Sequence, residues 1–94
     1  MFQQIRLDKV MRLVSEKDGI LVDIRDPVRF RDFHVDGSTY FSLRNVGLLR
    51  KYATDKCPII LIYETQDEET LRSFHNYMCQ FAIDPKRIYC LKLD

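Results

Sequence analysis

Cysteine, histidine, glycine and proline are all scarce in this sequence: three, two, three and three among 94 residues, with no tryptophan. The cysteines Cys57, Cys79 and Cys90 are odd in number and form no CxxC pair. They read as reduced thiols of a cytoplasmic protein rather than a disulfide framework. His34 and His75 do not stand at ligand spacing from them, so no zinc site and no other cofactor is expected. No apolar run approaches the roughly 18 residues of a membrane helix. The N-terminus, MFQQIRLDKV, lacks the apolar segment of a secretory leader. Neither sign of charge is in excess: 15 basic residues face 14 acidic ones, a formal net of +1. Nothing here calls for nucleic acid or an anionic membrane as partner. Linkers, repeats and low-complexity stretches are absent too, so residues 1–94 are read as one domain.

What is present is a chain that is 46% hydrophobic, with six Phe and five Tyr. That suffices for a small core, and a domain of this size gains stability from a protein partner or from self-association. The patterning alternates strand and helix. A strand is expected over Phe2 to Ile5 and a helix over Leu7 to Lys17, capped by Asp8, with Val10, Met11 and Val14 on its inner face. Gly19 suits the position past its end. The run Ile20 to Ile24 reads as a strand buried on both faces. Asp26-Pro27 starts a short helix, from which Phe30 and Phe33 point one way. Gly37 marks a turn, and Thr39 to Phe41 a brief strand. Ser42 caps a helix to about Ala53, with Val46, Leu49 and Tyr52 inward. Ile59 to Tyr63 is the next strand. Leu71, Phe74, Met78 and Phe81 recur at helical spacing until Asp84-Pro85, and Ile88 to Leu93 is the last strand. Five strands alternating with four helices predict a small three-layer α/β domain, with a mainly parallel sheet and helices on both faces. Right-handed crossovers put the loops after Ile24 and after Tyr63 at one sheet edge, where a site is sought.

The second of those loops is unusual. Residues Glu64, Thr65, Gln66, Asp67, Glu68, Glu69 and Thr70 include four acids and no Cys, Ser, His, Lys or Arg. A helix start normally offers its N–H groups to an anion. Here Glu64 or Asp67 is expected to serve as a built-in anion. The acids can equally be a partner-binding patch or a charge-complemented first turn. A divalent metal site is a weaker reading, because the spacing is that of any first turn.

The stretch ILVDIRDPVRFRDFHVDGS, residues 20–38, resembles the rhodanese-like domain signature. Val22-Asp23-Ile24-Arg25-Asp26-Pro27 matches its strand-end motif and Phe30 its aromatic. His34-Val35-Asp36-Gly37-Ser38 aligns with the segment that follows, with Phe33 in place of the usual Gly and Asp36 in place of the usual Pro. The resemblance extends over nearly the whole chain and implies a rhodanese-like fold with strand 59–63 in the middle of the sheet. In active members a cysteine directly after that strand accepts sulfur, a backbone cradle stabilises the anion, and a Gly and a basic residue sit in the loop. Those positions fall here on Glu64, Asp67 and Glu69. A carboxylate cannot form a persulfide. Beside Glu64 a thiosulfate dianion would meet a repulsion on the order of 4 kcal/mol per charge at 4 Å and an effective dielectric near 20. The Cys-x5-Arg loop of the family's phosphate-handling members is missing as well.

The expected function is therefore a catalytically inactive rhodanese-like binding or regulatory module, acting through protein–protein contacts at Glu64–Thr70. The alternative is a sulfurtransferase working through Cys90 or Cys79. Against it, the three thiols read as core-filling, without a basic neighbour close in sequence. His34 reads as structural, and Asp23 and Arg25 as a strand-end pair supporting the loop. Arg29 and Arg31, with Arg44, Arg50 and Lys51, form either a basic surface near the acidic loop or a solvated helix face.

Overall fold

The computed structural model describes residues 2–94. Five strands, β1 (Gln3–Gln4), β2 (Ile20–Asp23), β3 (Thr39–Tyr40), β4 (Ile59–Tyr63) and β5 (Ile88–Lys92), form one sheet in the order β1-β5-β4-β2-β3. Every pairing is parallel. Strand β4 is central and wholly buried. Its uninterrupted apolar sequence is what a strand covered on both faces requires.

The alternation of β4 side chains divides the core into two layers. Ile59, Leu61 and Tyr63 join Val46, Leu49, Leu71, Phe74 and Met78 on one face. Ile60 and Ile62 meet Val10, Leu21 and Leu91 on the other. The first layer lies under α3 (Glu68–Gln80) and a 3-10 helix (Leu43–Tyr52), and the second under α1 (Leu7–Lys17). The three-layer α/β architecture with an all-parallel sheet is thus as expected.

Several local expectations change. The N-cap of α1 is Arg6 without a side-chain cap bond, and Asp8 instead lies in the first turn. Met11 is half exposed, because it stands at the rim of the apolar stripe, and Leu13 packs inward with Val14. Gly19 follows a left-handed Asp18 (φ 56°). Its hydrogen is required by a close approach: a Cβ there would stand 3.0 Å from the Leu13 carbonyl oxygen. Helix α2 (Pro27–Asp32) starts as predicted, the Asp26 carboxylate accepting from the Arg29 amide. Phe33, however, points away from the core and is 63% exposed. The segment after Ser42 is a 3-10 helix rather than an α-helix, kinked at Asn45 (φ −115°, ψ 19°). Helix α3 ends at Gln80, before Asp84-Pro85, through a left-handed Ala82 (φ 69°). Asp84 then caps a separate turn, Pro85–Arg87.

Candidate functional site

At the C-terminal edge of the sheet, β2 ends in Asp23, which is fully buried. A lone carboxylate there would carry a large desolvation cost. Arg25, two residues on, meets it: Asp23 accepts from the Arg25 amide at 2.9 Å and from its Nη2 at 2.8 Å, and both carboxylate oxygens lie 3.1 Å from Nε. The same guanidinium donates from Nη2 to the Phe33 carbonyl at 2.6 Å and from Nη1 to Glu64 Oε2 at 3.1 Å. Asp23 first, then Glu64, raises the hold of Arg25 on its proton.

Glu64 follows β4 and so arrives at the same edge, beside β2. Its second oxygen, Oε1, accepts from Arg29 Nη1 at 3.0 Å. Arg29 is the third residue of α2 and gathers three acids. Its Nη2 donates to Asp67 Oδ1 at 2.6 Å, its Nη1 also to Asp67 Oδ2 at 3.0 Å, and its Nε to Asp26 Oδ2 at 2.7 Å. With its oxygen turned inward, the Gln66 amide accepts from the same guanidinium at 2.7 Å. Asp67 above all raises the Arg29 pKa further. The Arg29 backbone and side-chain donors together hold Asp26 below the usual carboxylate range. Two guanidinium groups therefore tie together Asp23, Asp26, Glu64 and Asp67.

The backbone of the loop is engaged as well. The Glu64 amide donates to Asp67 Oδ2 at 3.0 Å, and the Asp67 amide to the Glu64 carbonyl at 2.8 Å. The Thr65 amide and hydroxyl donate to the Asp94 carboxylate, and the amide holds that carboxyl below its usual pKa. The expected internal anion is thus present, but divided: Asp67 and Asp94 take the N–H groups, while Glu64 faces the arginines. The acidic patch of the sequence reading is correspondingly smaller. Glu64 and Asp67 are neutralised, and only Glu68 and Glu69 point to solvent as acids, beside exposed Thr65 and Gln66. Thr70 borders a cleft of about 250 Å³ next to Arg25, Arg29, Tyr40 and Ser42.

His34 lies outside this network. Its ring stacks on Phe30 at 4.0 Å between centroids, and its Nδ1 is 2.8 Å from the Phe30 carbonyl, to which it donates. Arg29 is brought into the site and is its densest node. Its proximity to the acidic loop was readable, but its partners lie 35 and 38 residues away and no local spacing names them. Asp94 was not anticipated at all.

The thiols do not behave as a group of core fillers. Only Cys90 is buried, and burial pushes its thiol up to about 12. Cys79 is exposed, because α3 turns it away from Met78, and its Sγ lies 3.7 Å from Nδ1 of His75. The sequence shows this neighbour only as a spacing of four residues on a helix. Burial holds the His75 imidazole below its usual pKa, so it supplies no positive charge to a thiolate. Cys57 lies at the far end of β4, half-buried, with Sγ 3.8 Å from Arg87 Nη2. None reaches the Glu64 loop, and the site brings together no nucleophile with a free base. Among the described residues no three His, Cys, Asp or Glu side chains gather as metal ligands. No helix among them is long and apolar enough to cross a membrane.

Comparison of the chain with protein-family models, with curated proteins and with solved structures finds no match in any of the three. The fold and the site define a small all-parallel α/β domain whose loop edge carries a closed arginine–carboxylate network.

Proposed function

We propose that this chain is a catalytically inactive rhodanese-like module that works through protein–protein contacts, presenting the exposed side of Glu64–Thr70 to a partner. One observation carries the reading. Glu64, at the position where the resembling family places its sulfur-accepting cysteine, is clamped by Arg25 at 3.1 Å and by Arg29 at 3.0 Å. A carboxylate so engaged is neither a nucleophile nor a free base, and it stands where an anionic substrate would have to sit. The neighbouring amides support the same reading, since Asp67 and Asp94 already occupy them. Exposed Thr65, Gln66, Glu68 and Glu69 remain as a polar contact surface on a rigid base, a setting that favours recognition over chemistry.

The test is intact mass spectrometry after incubation with thiosulfate, on the wild type and on Glu64→Cys. The wild type is expected to gain no sulfur. A mass increase of one sulfur on the wild type would overturn the proposal and give the modified cysteine as the site of a sulfurtransferase. Sulfur on the Glu64→Cys variant alone would support a cradle silenced by its own carboxylate.

A further inference from the structure

A groove of about 390 Å³ opens at the start of α1, beside the C-terminal ends of β1 and β5. Its walls are Ile5, Leu7, Phe33, Val35, Leu91 and Leu93. Ile5, Val35 and Leu93 pack onto the buried layer of Val10, Leu21, Ile60, Ile62 and Leu91, so the floor is continuous with the core. The outer wall is uncovered: Phe33 is 63% exposed and Leu7 52%. Met11, one helical turn beyond Leu7, is 49% exposed and extends the strip along α1.

Phe33 is the informative residue. Its N–H donates to the Arg29 carbonyl at 3.0 Å and its carbonyl accepts from Arg25 Nη2 at 2.6 Å. Both backbone polar groups are fixed, yet the ring rests on no other aromatic ring and stays in water. With the backbone already fixed, binding would have to order only the ring's own rotamers, a small cost against the apolar area a partner would cover, as for an interface anchor.

The rim is basic. Arg6 and Lys92 border the groove, and neither forms an ion pair with a carboxylate among the described residues. Asp94, the acid nearest in sequence to Lys92, is hydrogen-bonded to the Thr65 amide and hydroxyl and feels the Lys92 ammonium only as a weaker, through-space attraction. Two cations are too few for an anionic membrane surface, whose recognition draws on clusters of about four to eight. The groove is also open along one side, whereas a small apolar ligand needs most of its surface enclosed.

We infer that this groove is a docking site for a partner protein segment in which large apolar side chains are flanked by Asp or Glu, the apolar groups seated against Phe33 and Leu7 and the carboxylates on Arg6 and Lys92. Complementarity of that kind fixes register and speeds encounter. The inference does not rest on the Glu64 loop or on the family resemblance.

The experiment is selection of displayed random 16-residue peptides on the full chain, followed by fluorescence anisotropy with the recovered peptides. The expected sequences combine two or more large apolar residues with acids. They bind Phe33→Ser, and separately Arg6→Glu/Lys92→Glu, at least about tenfold more weakly than wild type, a loss typical of removing an anchor. They bind Glu68→Lys/Glu69→Lys unchanged. Arg6 is exposed whereas Lys92 is half-buried in β5, so Arg6→Glu alone, expected to weaken binding in the same direction, keeps the effect readable if Phe33→Ser or Lys92→Glu disturbs the fold. Failure to enrich, peptides without acids, or binding indifferent to the groove substitutions would overturn the inference. Dependence on Glu68 and Glu69 instead would overturn it while favouring the loop as the contact. A concentration-dependent dimer abolished by Phe33→Ser would give the groove to a second copy. Loss of binding to phosphatidylserine vesicles in the Lys92→Glu variant would give it to a membrane, and either result overturns the peptide assignment.

Discussion

Arg29 Nη2 stands 2.6 Å from Asp67 Oδ1, joining α2 to the start of α3 across 38 residues. Asp67 is buried and its other oxygen receives both Arg29 Nη1 and the Glu64 amide. Removing the guanidinium strands a carboxylate with little access to water. Arg29→Met is therefore expected to cost about 2–3 kcal/mol, less than a fully buried pair because Arg29 is partly solvated. Asp67→Asn should cost a similar amount. The double variant should lose less than the sum, with a coupling on the order of 1 kcal/mol. Urea unfolding of the four proteins measures this, and strictly additive losses would show that the contact contributes nothing of its own.

The thiols should separate by environment. Cys79 is exposed, Cys57 half-buried and Cys90 buried. A disulfide reagent such as DTNB should titrate Cys79 first in the native chain and Cys90 only after unfolding. Cys79→Ser should remove the fast phase. A fast phase that survives it would mean that Cys57, beside the Arg87 guanidinium, is the reactive thiol.

Cys90 also sets a pH dependence. Its folded pKa is raised to about 12, whereas an unfolded thiol ionises near 8.5. Between those values the unfolded chain has released a proton that the folded chain retains, so rising pH favours unfolding. The contribution of this thiol is intact below about pH 8 and is lost progressively from about 9 to about 12. Cys90→Ala should be less stable at neutral pH because it leaves a cavity, but its urea midpoint should fall less steeply over that window. Parallel curves for the two proteins would contradict the assignment.

The glycines give a stability contrast of opposite signs. At Gly19 a Cβ would meet the Leu13 carbonyl carbon at 3.1 Å and Ile60 Cδ1 at 3.2 Å, whereas at Gly47 nothing lies within 4 Å. Gly19→Ala should cost about 1–3 kcal/mol by forcing α1 off the sheet. Gly47→Ala should gain about 0.4–1 kcal/mol by restricting the unfolded chain. Thermal melts of both variants test the pair together, and a stabilising Gly19→Ala would refute the close approach.

How much of this was legible in the sequence depends on whether the cause is local. The apolar runs of β2 and β4 and the periodicity of α3 announce themselves, because burial on one or both faces is written into neighbouring residues. The 3-10 character of Leu43–Tyr52 was not legible, because Val46, Leu49 and Tyr52 at intervals of three suit the inward face of either kind of helix. The exposure of Phe33 was not legible, because composition cannot say which aromatic is left uncovered. At the site the clustering of acids was plain, but their neutralisation by Arg25 and Arg29 depends on strand order, which brings β2 beside β4. Asp94 reaches Thr65 for the same reason, from the end of the neighbouring β5.

Ala82 offers the most direct test of backbone geometry. The Ile83 amide donates to the Met78 carbonyl at 3.1 Å and the Ala82 amide to the Cys79 carbonyl at 3.0 Å. This pair of bonds closes α3 in the manner usually assigned to glycine, with the left-handed residue at Ala82, φ 69°. An alanine there crowds its Cβ against the following carbonyl, at a cost of about 1–2 kcal/mol, and glycine in turn gives the unfolded chain about 0.5–1 kcal/mol of extra freedom. The balance favours Ala82→Gly by about 0.5–1 kcal/mol. Asp18→Gly, at the matching end of α1 with φ 56°, should gain less, because aspartate tolerates the left-handed region better than alanine does. Urea midpoints of the two variants decide it. If Ala82→Gly lowers the midpoint, α3 is not closed by a left-handed residue at that position.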